Sequence, residues 1–343
     1  MPQIPIDKLR DYAEALFVAA GSPADIAAHL VNSLLLADQS GHPSHGIIRV
    51  PRYLEYMVQG RIVSNARPEV LKRLPSAALI DGCLGFGQAT ASFTTQIAID
   101  LARESGISIA GAIRCNHAGR IGQWAEMAAA QGMIFIGFVG GPTGFAGTPF
   151  GGAGRALCTN PIAAAVPGDE HAPMIMDFAT TTTAEGKIQV ARAKGSQLPP
   201  GQVLDKRGNP TTDPEEFYDG GMLLPFGGHK GYALSLLVEA MASCLTGAGD
   251  SDEYAKLGFT AIVINPGMFV SGDQYRASAD SLFARMESTP PAPSYSEVII
   301  PGAPEHRSRA LHHQRGGIEL ADTTLRNLSA EGKRLKVDTS LLA

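Results

Sequence analysis

Residues 77–88 read Ala77-Ala78-Leu79-Ile80-Asp81-Gly82-Cys83-Leu84-Gly85-Phe86-Gly87-Gln88, and this stretch decides the fold class. Ala77–Asp81 has the texture of a strand. A helix is expected from Gln88 to Ser105 and a second strand at Ile107–Ile113. That alternation predicts an α/β fold. A dinucleotide-binding loop of the Rossmann kind places G-x-G-x-x-G between such a strand and helix, with an acidic residue about twenty positions on. The run here lacks the third glycine in register and reads as a turn. Gly151-Gly152-Ala153-Gly154 follows no strand, and Gly227-Gly228-His229-Lys230-Gly231 only approximates a P-loop. Any nucleotide must be held by a non-Rossmann arrangement.

Upstream, apolar residues at helical spacing predict helices over 7–20 and 23–39, with Ser22-Pro23 opening the second and Gly41 closing it. A third helix is expected from Ser44 to about Gln59, kinked or delayed by Pro51. Downstream the pattern predicts a helix at Ile121–Ala130, a strand at Met133–Val139 and a glycine-rich loop over 140–154. Strands at Ile162–Val166 and Met174–Phe178 follow, then a helix over Thr181–Lys194 and an exposed excursion over 195–225. Gly231–Leu245 is the most apolar helix and is expected to be the most buried. A strand at Ala261–Asn265, a helix at Tyr275–Met286, a strand at Val298–Ile300 and helices near Arg307 and Leu325 complete the chain. There is no internal repeat.

At 343 residues the chain is long enough for more than one lobe. With 18% charged residues and a net charge of −5 it has no basic footprint for nucleic acid, which leaves small-molecule chemistry as the expectation. Cys83, Cys115, Cys158 and Cys244 are far apart and form no CxxC, arguing against a disulfide framework or thiolate metal site. The N-terminus has no signal-peptide pattern and no segment has eighteen uninterrupted apolar residues, so a soluble cytoplasmic protein with no membrane partner is expected.

Proton-transfer and anion-binding residues concentrate in Gly41-His42-Pro43-Ser44-His45-Gly46-Ile47-Ile48-Arg49-Val50-Pro51-Arg52-Tyr53. With Ser44 as N-cap, a helix would place His45, Arg49 and Tyr53 on one face. Arginine can grip a carboxylate while histidine exchanges a proton, which suits a small oxygenated acid; the plainer reading is a solvated helix face. Three further segments carry polar residues at the ends of apolar elements. In Arg114–Gly122 a helix start favours phosphate, or Asn116 or His117 simply caps it. In Asp177–Lys187 a carboxylate and four hydroxyls join strand to helix, or the threonines cap. Pro225–Tyr232 sets His229 and Lys230 at a helix start, as anion contacts or as a solvated turn. A histidine metal site is disfavoured by Pro43 and by the absence of HExxH.

Taken together, Gly41–Arg49, Asn116–Gly119, Cys158-Thr159-Asn160-Pro161, Asp177–Lys187, Leu224–Leu234 and Ile300-Pro301-Gly302-Ala303-Pro304-Glu305 resemble the malate/L-lactate dehydrogenase family, in order across nearly the whole chain. This type-2 family is distinct from the Rossmann-fold lactate and malate dehydrogenases. Gly119–Glu126 and His229–Leu234 are most similar to its bacterial hydroxycarboxylate dehydrogenase branch. The resemblance implies hydride transfer between NAD or NADP and C2 of a 2-hydroxy or 2-oxo carboxylic acid. It also implies a malate/L-lactate dehydrogenase-like α/β fold, a mixed-sheet cofactor domain plus a helical domain, in a homodimer. The helical domain would be 1–76 joined by helices of 303–343, and the cofactor domain 77–302.

By motif position the resemblance makes His45 the acid/base group, Ser44 its relay and Arg49 the carboxylate clamp, with His117 as the alternative proton acceptor. Thr159 would touch substrate, alongside Tyr53 from the helix-face argument. Cofactor contacts would be His45, Gly119, Arg120, Ile121, Asp177, Phe178, Ala179, Thr180, Thr181, His229, Lys230, Asn265, Gly302, Ala303, Pro304 and Glu305, with no metal. Arg114, Arg120 and Arg307 are each available for a ribose 2′-phosphate. Three departures stand out: Ala118 where many relatives are bulky, Lys187 where the imine-reducing branch carries an aspartate, and Pro43 where an aspartate is usual. The alternatives are a Δ1-piperideine-2-carboxylate or pyrroline-2-carboxylate reductase and a non-catalytic nucleotide-binding protein.

Overall fold

A computed structural model describes residues 2–142, 146–250 and 257–342. The chain opens with β1 (Gln3–Pro5), α1 (Ile6–Ala19), α2 (Ala24–Gln39) and α3 (Val50–Val58). β2 (Glu69–Arg73), β3 (Ala77–Asp81), α4 (Gly87–Ser105), β4 (Ile107–Cys115), α5 (Gly122–Ala129), β5 (Ile134–Gly140), β6 (Ile162–Val166) and β7 (Met174–Phe178) follow. Next come α6 (Glu185–Lys194), β8 (Val203–Leu204), β9 (Pro210–Thr211), α7 (Pro214–Tyr218), β10 (Met222–Leu223) and α8 (His229–Glu239). β11 (Leu257–Ile264), α9 (Gly272–Glu287), α10 (Ala303–Arg315), β12 (Gly317–Glu319) and α11 (Asp322–Leu335) end the chain.

The helical spacing of Leu9, Tyr12, Leu16 and Phe17 on α1 and of Leu30, Val31 and Leu34 on α2 buries one stripe of each helix in a shared core. That core also takes Tyr53 and Leu54 of α3, Ile318 of β12 and Leu328 of α11. The two ends of the chain meet there, with Gln3–Pro5 paired antiparallel to Gly317–Glu319.

A second core lies on a seven-stranded sheet of order β2-β3-β4-β11-β5-β6-β7. Only β3 and β4 are parallel; every other neighbouring pair is antiparallel. A sheet with one parallel pair is not doubly wound, which accounts for the absent glycine fingerprint. Small residues of the strands, among them Ala110, Ala112, Ala163 and Ala261, let α4 and α5 sit close against the sheet, and Trp124, Phe135 and Phe259 fill the remaining volume. The edge strand β2 is wholly exposed and carries a bulge and two basic residues, features that discourage edge pairing.

Several sequence expectations need correction. The excursion at 195–225 is a small lobe of its own: β10-β8-β9 pack with α6 and α7 around Ile188, Leu198, Val203, Phe217 and Leu223. The helix expected from Thr181 starts only at Glu185, because the Thr182 amide and hydroxyl bond to Leu224 O and Gln202 O of that lobe. Val298–Ile300 is not a strand. α8 buries only Gly231, Ser235 and Val238, while Leu236 and Leu237 are nearly half exposed and Leu245 beyond it is 58% exposed. A helix apolar all round packs one side on the sheet and leaves the other uncovered. Of the expected loop 140–154, residues 143–145 lie outside the described residues.

Candidate active site

The site begins where α2 ends. After Gly41 the chain makes a tight turn over Pro43–His45, passes through extended Gly46 (φ −92°, ψ −151°) and makes a second tight turn over Ile47–Arg49 before α3 starts at Val50. The helix expected from Ser44 therefore starts only at Val50, the delay that Pro51 in its first turn allows, and the turn ahead of it is shaped by Asp38. Its buried carboxylate accepts the Ile47 amide at 2.7 Å. It lies so close to Gly46 that a Cβ there would stand 2.1 Å from it. Only glycine lets the carboxylate reach in. With few compensating bonds, burial raises the Asp38 carboxyl to about 7.

Ser44 consequently caps nothing. Its hydroxyl meets His45 Nδ1 at 2.9 Å, and its carbonyl accepts Arg49 Nε at 2.6 Å. Arg49 has no carboxylate partner among the described residues. Burial, then the Arg49 charge, pushes the half-buried His45 imidazole down to about 3. His117 is lowered by the same two causes and by His45.

His117 reaches this place from the end of β4. Asn116 donates to the carbonyls of Arg61, Leu84 and Gly85 at 3.1, 3.0 and 2.9 Å, so it ties the loop down rather than capping α5. Gly87 at the start of α4 touches the same loop: a Cβ there would lie 2.2 Å from Asn116 O and 2.3 Å from His117 O. The His45 and His117 rings stack with centroids 5.3 Å apart and planes 23° apart. Tyr53 is buried on α3, not displayed on a shared face with His45. Its hydroxyl meets His117 Nδ1 at 2.6 Å and accepts from Gln88 Nε2 at 2.9 Å. Burial raises the phenol to about 12.

A polar strip continues toward the second core. Arg120 is buried, bonded to Glu126 at 2.6 Å, and its Nε and one terminal nitrogen have no partner among the described residues. Glu126 also accepts from Arg309 of α10 at 2.9 Å. Asp177 accepts the Gly122 amide at 2.7 Å, and burial raises its carboxyl while that bond and the Arg120 charge oppose the rise. His42 meets Glu305 at 3.0 Å, and Gly302 packs against Ile175 ahead of α10, which carries Ala303, Pro304 and Glu305 in its first turn. Thr159 O accepts the Thr180 amide, and Phe178 packs edge-on to Phe226, which places residues 177–181 beside the exposed His229 and Lys230. Gly186 lies against Ser44.

Not every expected residue joins this assembly. Asn265 caps its own turn at the Ile264 end of β11, paired there with Ile107. His117 follows the other end of β4, roughly 26 Å along the strand. Ile121 and Ala118 point into the core, so the small residue after His117 affects packing first. Arg114 is engaged by Asp81 and Arg307 by Glu297. Sequence reasoning missed Asp38, Gln88, Glu126 and Arg309. Among the described residues no cluster of metal-binding side chains stands together.

A sequence profile of the malate/L-lactate dehydrogenase family matches residues 4–329. The chain is 31% identical to a malate dehydrogenase of Pyrococcus horikoshii, over 98% of its own length and 96% of that protein's. It is 32% identical to a Δ1-pyrroline-2-carboxylate/Δ1-piperideine-2-carboxylate reductase of Pseudomonas putida, over 92% of each. The solved structure of the sulfolactate dehydrogenase from Methanocaldococcus jannaschii matches with a TM-score of 0.90 at 31% identity, covering 99% of both chains. Fold and relatives together define an oxidoreductase of the nicotinamide-dependent dehydrogenase class. The chain belongs to the malate/L-lactate dehydrogenase family.

Proposed function

We propose that the protein catalyses reversible hydride transfer between NAD or NADP and C2 of a 2-oxo or 2-hydroxy carboxylic acid. The observation that carries this reading is Arg49, a guanidinium without a carboxylate partner among the described residues, beside two stacked and neutral imidazoles. Arg49 binds the substrate carboxylate, and the neutral His45 ring takes the hydroxyl proton when the hydroxy acid is oxidised. Ser44 orients that ring through Nδ1. Bringing a carboxylate to Arg49 offsets the charge that suppresses His45, so substrate binding itself raises the basicity of the group.

Bound nicotinamide supplies or accepts the hydride. The residues present fit such a cofactor: the unpartnered N–H groups of buried Arg120 call for an anionic acceptor, which a dinucleotide pyrophosphate provides. Asp177 to Thr181, His229, Lys230 and the Gly302–Glu305 turn line the same strip. Arg114, Arg120 and Arg307 are each held by an acidic partner, Asp81, Glu126 and Glu297, so the geometry does not rank them for a 2′-phosphate.

The two apolar cores support a division into a helical domain, 1–76 with 303–343, and a cofactor domain, 77–302. The uncovered Leu236, Leu237 and Leu245 support a homodimer closed over α8, and light scattering reads its mass. No helix among the described residues is long and apolar enough to cross a membrane. Cys83, Cys115 and Cys244 are free thiols, consistent with a cytoplasmic location.

The function is tested by following reduced-nicotinamide absorbance with NADH and NADPH separately, against a panel of 2-oxo acids and one cyclic imine. Oxidation with 2-oxo acids is expected. Oxidation with the imine alone would replace the proposal with the reductase, and cofactor binding without turnover would leave a sensor.

A further inference from the structure

The Tyr53 hydroxyl has one proton and stands between two nitrogens, Gln88 Nε2 at 2.9 Å and His117 Nδ1 at 2.6 Å. Neither neighbour is free to drift. Gln88 is fully buried in the first turn of α4, and Gly87 beside it is in contact with the backbone of Asn116 and His117. An amide N–H can only donate, so the phenol oxygen accepts from Gln88 and its own proton is left for the other partner. A ring nitrogen that receives a proton in a hydrogen bond must present a lone pair.

We propose that Gln88 is a positioning residue that sets the tautomer of His117: by donating to Tyr53 it turns the phenol proton onto Nδ1 and leaves the imidazole proton on Nε2. The phenol and imidazole are both in the neutral forms this relay requires, since burial raises one and lowers the other. The consequence is a division of labour between the stacked rings. His117 offers an N–H at Nε2 and acts as a hydrogen-bond donor that polarises a substrate oxygen. It is not a base. Proton exchange falls to His45, whose Nδ1 faces a hydroxyl able to donate or accept. The reverse amide orientation would invert every bond: the phenol would donate to the amide oxygen, and His117 would carry its proton on Nδ1 and become the base.

This inference rests on the proposed 2-oxo acid chemistry for the role of His117, but its test does not. The ring nitrogens are labelled with ¹⁵N in the cofactor-free full-length protein, and His117 is assigned by the loss of its signals in His117→Ala. Between pH 6 and 9, Nδ1 is expected to resonate as a bare ring nitrogen and Nε2 as a proton-bearing one. In Gln88→Glu, read at a pH where the ¹³C shift of the introduced carboxyl shows it ionised and so able only to accept, the two resonances exchange ranges. Turnover then falls about 10²-fold with cofactor affinity retained. A wild-type spectrum with the proton on Nδ1, or an unchanged spectrum in Gln88→Glu, overturns the relay. If Gln88→Glu does not fold, Tyr53→Phe decides: loss of the hydroxyl should let the tautomers mix, and a retained pure Nε2–H form contradicts the proposal. A protein inactive on 2-oxo acids that still shows the proton on Nε2 refutes the function and leaves the relay standing.

Discussion

Replacing Asp38 with Asn should change how the stability of the fold depends on pH. Asp38 is buried beneath the His45 turn with a single backbone donor, the Ile47 amide, and its carboxyl is raised from the ordinary 3.8 to about 7. The folded protein thus keeps a proton that the unfolded chain releases above about pH 4. Its contribution is fully present below pH 4 and is lost as pH rises to 7. A shift of about three units corresponds to about 4 kcal/mol at roughly 1.36 kcal/mol per unit. His45 acts in the opposite sense: with its imidazole lowered to about 3, the unfolded chain binds more protons below pH 6.5, and stability rises with pH through that window. In the wild type the two slopes oppose each other. Asp38→Asn keeps an oxygen to accept from Ile47 and removes the falling slope. Denaturant unfolding at fixed protein concentration, from pH 4 to 8, should therefore show the variant gaining on the wild type by up to about 4 kcal/mol as pH rises, at constant m. Parallel curves for the two proteins would refute the assignment of Asp38 as a buried carboxyl that keeps its proton well above the ordinary carboxyl range.

Three further outcomes follow from the same turn. Gly46→Ala forces a Cβ to within 2.1 Å of the Asp38 carboxylate; a stability loss of about 1–3 kcal/mol is expected, and an unchanged melting temperature would show that the turn yields freely. Arg49→Met should lower kcat/KM for a 2-oxo acid by roughly 10²-fold, the worth of a charge-assisted pair of hydrogen bonds, chiefly through KM. An equal loss with the corresponding neutral amide substrate would remove Arg49 from carboxylate binding. Binding of an unreactive 2-oxo acid analogue should take up a proton as pH falls toward about 4, because the ligand offsets the Arg49 charge while burial, the larger cause that holds His45 at about 3, remains. Calorimetry in buffers of different ionisation enthalpy reads that uptake, and its absence contradicts the proposed coupling.

Helices α1 and α2 are readable from the chain because their apolar spacing is regular and Pro23 and Gly41 punctuate them. Strands β6 and β7 begin and end where their aliphatic runs do. The shape of the turn at Gly46 is not readable, since it is set by a carboxylate eight residues earlier that matters only once α2 has folded back on it. The lobe at 195–225 escapes notice because its strands are two residues long, too short for any alternation to register. α8 misleads because apolarity alone does not say whether the covering surface is the same chain. Within the site, His45, Arg49 and His117 announce themselves as chemically able residues at the ends of apolar elements. Gln88 sits in a glycine-rich turn that looks structural, and its partner Tyr53 is 35 residues away, so nothing local marks it.

The measurement closest to the central claim compares His45→Ala with the wild type on the same preparation, reading both the rate of reduced-nicotinamide oxidation by a saturating 2-oxo acid and the cofactor affinity by fluorescence titration. A positioned acid/base group is worth about 10²–10⁴ in rate. The account predicts a loss of that size with cofactor affinity changed no more than about threefold, roughly 0.7 kcal/mol. Turnover near the wild-type rate would take His45 out of the proton exchange and contradict it.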